Sequence, residues 1–216
     1  MDAEVLAGWA VQLGSVCMSV DYRLAPEAVY PAAIDDCEAA LDWMVRRHVE
    51  LQVDPARLIL FGVSAGGALA AALALRLRDR RVPTSGLLLE SPMLDDREAT
   101  ASRSWSVPIA GPTTIRLGWR AYLGDRFGSS DVPADAAPAR ATNLADLPPT
   151  FVAVGTVDTL HDEGIDFAGR LRTADVDVTL REYPGAVHGF ATIAPSSRLA
   201  HALGRDQFAW LESRLA

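Results

Sequence analysis

A chain of 216 residues, half hydrophobic and 22% charged, fits one soluble domain that buries about 70% of its unfolded surface, which excludes a disordered or fibrous protein. The formal charge of −8 repels polyanions, so nucleic acid and anionic membranes are poor partners, and the absence of lysine among the basic residues removes Schiff-base and phosphate-loop lysine chemistry. No stretch approaches the roughly 18 apolar residues of a membrane span, the start Met1-Asp2-Ala3-Glu4 lacks a basic leader, and two cysteines make no disulfide framework, so the expectation is a cytoplasmic protein with reduced, buried thiols at Cys17 and Cys37.

Apolar positions at helical spacing run from Val5 through Leu6 and Trp9 to Leu13; Gly14 ends the pattern, and Ser15 to Val20 reads as a short buried strand. A loop punctuated by Pro26 and Pro31 leads into a helix over Ala32 to His48. Arg57 to Phe61 is β-rich and passes through a glycine turn into helical composition from Ala65 to Leu77, and Gly86 to Glu90 is the next buried strand. The irregular stretch Ser91 to Pro112 precedes a helix over Thr113 to Leu123, after which Gly124 to Pro149 shows no clear period. A strand at Phe151 to Val154, a helix over Asp162 to Thr173, a strand at Val176 to Tyr183 and a closing helix over Pro195 to Leu215 complete the chain. Strands alternating with helices need crossover connections, which make parallel pairs and cover both faces of the sheet. The predicted fold class is therefore α/β: a doubly wound, mostly parallel sheet of about five strands in a single domain over residues 1–216.

Chemistry in such sheets gathers at the carboxyl ends of strands, and three of those ends carry reactive side chains. After Leu58-Ile59-Leu60-Phe61 comes Gly62-Val63-Ser64-Ala65-Gly66-Gly67, a G-x-S-x-G elbow in its strand-turn-helix setting. The turn projects the serine above the sheet with the backbone N–H of Ala65 facing a developing oxyanion, and glycines two before and two after the serine are expected to relieve Cβ clashes. Asp158 follows Phe151 to Val157, and His188 follows the strand ending at Tyr183. Serine, acid, histidine is the chain order of α/β-hydrolase sites, whereas two other serine triads place histidine before serine. Ser64 could instead simply cap its helix; Asp162 and Glu163 compete with Asp158 as the acid, and His161 is the histidine nearest the acid loop. No His/Cys cluster has metal-ligand spacing and no loop matches a dinucleotide fingerprint, so neither a metal nor an organic cofactor is expected.

The segments VDYRLAPE (Val20 to Glu27), YPAAIDDC (Tyr30 to Cys37), GVSAGG (Gly62 to Gly67), SPMLDD (Ser91 to Asp96), VDTLHDEG (Val157 to Gly164) and YPGAVHGF (Tyr183 to Phe190) resemble the bacterial hormone-sensitive-lipase-like esterases of the α/β-hydrolase fold, over nearly the whole chain. The resemblance implies a catalytic triad of Ser64, Asp158 and His188, a small-molecule ester with a short acyl chain as substrate, and Trp105, Trp119 and Tyr122 as residues bordering the acyl pocket, although each is also a natural core residue. Two departures stand out. Val63 and Ala68 replace the family's polar residues around the elbow, and the family's H-G-G-G segment, which supplies most of its oxyanion donors, has no counterpart after Met1. By resemblance the cap helices and first three of eight strands are likewise without counterpart, so the expectation is an N-terminally truncated esterase, weak or inactive with Ala65 N–H as its one remaining oxyanion donor. Ser15 to Val20 would then pair directly with Arg57 to Phe61, lie as an exposed edge, or pair with another chain, and apolar surface left bare by the absent cap favours a homo-oligomer. Competing functions are a serine peptidase of the same fold, for which the chain has no second domain, and a non-catalytic ligand binder, which tends to lose the histidine that is present here as His188.

Overall fold

The computed structural model describes residues 3–215, in which four strands form one sheet. They are β1 (Ile59–Val63), β2 (Gly86–Glu90), β3 (Thr150–Val157) and β4 (Val178–Val187), neighbours in chain order and all parallel. The helices are α1 (Ala3–Leu13), α2 (Ala32–Arg46), α3 (His48–Leu51), α4 (Ala65–Asp79), α5 (Pro112–Leu123), α6 (His161–Thr173), α7 (Phe190–Ile193) and α8 (Arg198–Leu215). The doubly wound α/β architecture is as expected, because each parallel pair needs a crossover and the helices divide between the two faces.

Side chains alternate across the central strands. Leu87, Leu89, Val152 and Val154 face one core with α2, α4 and α6, while Leu88, Phe151 and Ala153 face a second core with α8 and Trp9 of α1. Both cores bury β2 completely, which explains its unbroken apolar run Gly86-Leu87-Leu88-Leu89. The alanines of α4 let its backbone lie close to the sheet, and all its residues from Gly67 to Leu75 are buried. A third cluster, built from Met93, Ile115, Trp119 and Leu123, packs α5 beyond the carboxyl end of β2.

The fifth expected strand does not form. Ser15 to Val20 has no strand assignment, and Arg57 to Val63 pairs only with β2. A groove of about 530 Å³ lies between them, lined by Val16, Met18 and Val20 on one side and Leu58, Leu60 and Gly62 on the other. Direct pairing with Arg57 to Phe61 is therefore corrected: β propensity supplied an extended segment, but a strand needs a neighbour within hydrogen-bonding distance, and here the free edge of β1 faces the groove. Cys17, expected to be buried in that strand, is exposed, while Cys37 is half-buried; both are free thiols.

Candidate active site

The sheet's carboxyl end is where the three sequence-predicted side chains meet. At the end of β1 the chain reverses sharply through Ser64, whose φ of 56° and ψ of −120° lie in a region that non-glycine residues avoid at a cost of about 1–3 kcal/mol. The surroundings over-determine this conformation. The Ser64 N–H donates to the Glu90 carbonyl at 2.9 Å, and the Ser64 carbonyl accepts from the N–H groups of Gly67, Ala68 and Met93 at 3.0, 3.2 and 3.0 Å.

Two glycines make the turn sterically feasible, though not the pair expected. A Cβ on Gly62 would lie 2.0 Å from the Gly66 carbonyl oxygen, and one on Gly67 would lie 2.9 Å from the Pro92 Cβ. A Cβ on Gly66 would meet nothing within 4 Å, because that residue opens toward the groove. The expected clash two residues after the serine is thus found three residues after it. No side chain caps α4, so the N–H of Ala65, its first residue, has no intrahelical partner and stays available to an oxyanion.

Asp158, fully buried just past β3, anchors one carboxylate oxygen on the Leu160 N–H at 2.9 Å and turns the other to His188 Nδ1, also at 2.9 Å. A carboxylate can only accept there, so Nδ1 carries the proton and Nε2 is left as acceptor for the Ser64 hydroxyl at 3.0 Å. Close approach of β3 and β4 positions the imidazole: a Cβ on Gly155 would stand 2.3 Å from the Ala186 carbonyl oxygen, and the pairing register shifts between Gly155 and Val157. Gly189, at φ 67°, then turns the chain into α7. Nothing in the sequence pattern marked Gly155; a glycine inside a strand signals such an approach only once its neighbour is known.

The competing acids face elsewhere. Asp162 accepts the Ser102 N–H at 2.8 Å and holds the His161 ring, which also reaches Glu182 at 3.0 Å. Burial works against charge on His161, but those two carboxylates outweigh it and raise its pKa. Glu163 accepts the Leu94 N–H at 2.7 Å and lies 3.6 Å from the buried Arg103 guanidinium; burial pushes its pKa up to about 8, against the pull of Arg103 and the backbone donors. Trp119 lies inside the third core, Tyr122 packs edge-on against Tyr30 with ring centroids 6.0 Å apart, and Trp105 stacks on His161 at 5.8 Å. Glu90, which sequence reasoning passed over as a strand end, is a buried carboxyl bonded to Gln207 of α8 at 2.9 Å. Among the described residues no group of three or more His, Cys, Asp or Glu could hold a metal ion, and no helix is long and apolar enough to cross a membrane.

Residues 1–192 match the α/β hydrolase fold family. Esterase LipI of Mycobacterium tuberculosis is 38% identical over 188 residues, covering 86% of this chain and 58% of the relative. Carboxylesterase NlhH of the same organism is 37% identical over 204 residues, covering 91% of this chain and 63% of the relative. A solved bacterial heroin esterase superposes with a TM-score of 0.87 at 39% identity, covering 90% of this chain and 63% of that one. The chain thus spans about three fifths of the length of the curated relatives it matches.

Proposed function

Because the chain belongs to the hormone-sensitive-lipase-like esterases of the α/β-hydrolase fold, we propose that it is the catalytic portion of a serine carboxylesterase acting on short-chain acyl esters. The continuous hydrogen-bonded line from the Ser64 hydroxyl through His188 to Asp158, at 3.0 and 2.9 Å, carries this reading. Ser64 attacks the ester carbonyl as His188 Nε2 takes the hydroxyl proton, and Asp158 holds the ring in the Nδ1–H form and stabilises its positive charge. The Ala65 N–H donates to the oxyanion, His188 returns the proton to the departing alkoxide, and water activated by the same imidazole releases the acid from the acyl-enzyme. No step in this sequence calls for a metal or an organic cofactor.

Acylation of the nucleophile reads this chemistry directly, because the acyl-enzyme is the intermediate on which the mechanism depends. Incubation with p-nitrophenyl acetate should add one acetyl group to the intact protein, mapped to Ser64 and absent from Ser64→Ala. Failure to acylate, or acylation that persists in Ser64→Ala, contradicts the proposal.

A further inference from the structure

We propose that His161 is a pH-operated clamp beside the candidate active site: its imidazolium ties the segment 102–105 and the start of α6 to β4, and loss of its proton frees Trp105. Three contacts define the clamp. His161 opens α6, with Nδ1 2.8 Å from Asp162 Oδ1 and Nε2 3.0 Å from Glu182 Oε2 on β4. Trp105 stacks on the same ring, with centroids 5.8 Å apart and planes inclined by 27°. Ser102 completes it: its N–H donates to Asp162 Oδ2 at 2.8 Å, and its hydroxyl donates at 2.9 Å to the carbonyl of Thr159, the residue after Asp158.

Carboxylates only accept, so a ring with a carboxylate at each nitrogen satisfies both only by donating from both, which makes it a cation. A cation over the face of a tryptophan, within about 6 Å of the ring centroid, is in turn attracted to it. Neutral His161 has one N–H to offer. Asp162 is fixed by Ser102, whereas Glu182 is half exposed and free to turn to water, so Nδ1 keeps its proton and the Glu182 arm opens. The indole then loses both the cation against its face and the second tether that held that ring still. The charged groups facing His161 are Asp162 on α6 and Glu182 on β4, while the segment 102–105 presents the uncharged Trp105. Arg103 lies instead 3.6 Å from Glu163 and from Glu98, and Asp158 is turned to His188. Burial lowers the pKa of His161, but the two carboxylates outweigh it and raise the value above the ordinary 6.5. The clamp is therefore fully closed below pH 6.5 and opens as pH rises through the folded midpoint.

NMR tests this without turnover, so the result does not depend on whether Ser64 is acylated. The His161 ring, assigned by His161→Gln, should titrate with a midpoint above 6.5. The order parameter of the Trp105 indole N–H, assigned by Trp105→Phe, should fall over the same pH interval. In Glu182→Gln, a change at a half-exposed site, both transitions should move down together by at least ~0.5 pH unit, because an amide can donate to a bare ring nitrogen as well as accept from an N–H. A midpoint at or below 6.5, a midpoint that stays put in Glu182→Gln, or a Trp105 order parameter indifferent to the charge on His161 overturns the proposal.

Discussion

Replacing Gly62 by alanine should break the elbow, whereas the same change at Gly66 should leave it intact. The new Cβ at Gly62 would stand 2.0 Å from the Gly66 carbonyl oxygen, against the 3.4 Å of an ordinary contact, so the start of α4 must retreat by about 1.4 Å. Ser64 lies on the segment that moves, and its hydroxyl now sits 3.0 Å from His188 Nε2. A misplacement of about 1 Å at a reacting group can cost about 100-fold in rate, and overpacking of this kind destabilises by about 1–3 kcal/mol. At Gly66 nothing lies within 4 Å of a Cβ, and alanine inside a helix gains up to about 1 kcal/mol over glycine. Urea unfolding followed by tryptophan fluorescence, paired with the rate of acetylation by p-nitrophenyl acetate, reads both effects. Wild-type stability and acylation in Gly62→Ala, or equal damage from Gly66→Ala, would refute the steric reasoning.

Burial holds the Glu163 pKa near 8 in the folded state against an ordinary value of 4.5, so its contribution to stability is full below pH 4.5 and is lost as pH rises through 8. Wild-type stability should therefore fall relative to Glu163→Gln by up to about 5 kcal/mol across that window in urea titrations; parallel curves would show that Glu163 ionises normally. Asp158→Asn should leave the fold in place but slow Ser64 acylation by roughly 10³–10⁴-fold, because the amide no longer fixes the Nδ1–H tautomer; a loss under tenfold would deny Asp158 that role. Amides of residues 16–20 should exchange far faster than those of β2 and β3, and concentration-independent protection of that segment would contradict an unpaired edge.

The fold class and the meeting of Ser64, Asp158 and His188 were legible because each depends on local pattern plus one topological rule. A parallel sheet brings the ends of its strands together whatever their separation in the chain, so three reactive residues following three strands converge. What depends on a specific neighbour was not legible. Ser15 to Val20 has the composition of a strand, yet pairing is decided by what stands beside it. Gly66 matches its motif position, but the contact that demands a glycine is made by Gly67 against Pro92. Trp119 suits the core better than the pocket by residue type, but only its packing against Met93 and Leu123 shows where it lies. Glu90 and Gln207 lie 117 residues apart, beyond any local signal.

The central claim is that Ser64 is a nucleophile activated by His188. The most direct measurement is the rate of labelling by a fluorophosphonate probe, with the modified peptide sequenced. Modification should fall on Ser64 and slow by at least about 100-fold in His188→Ala, in line with loss of a general base. An unchanged rate in His188→Ala, or a label on another serine, would contradict the account.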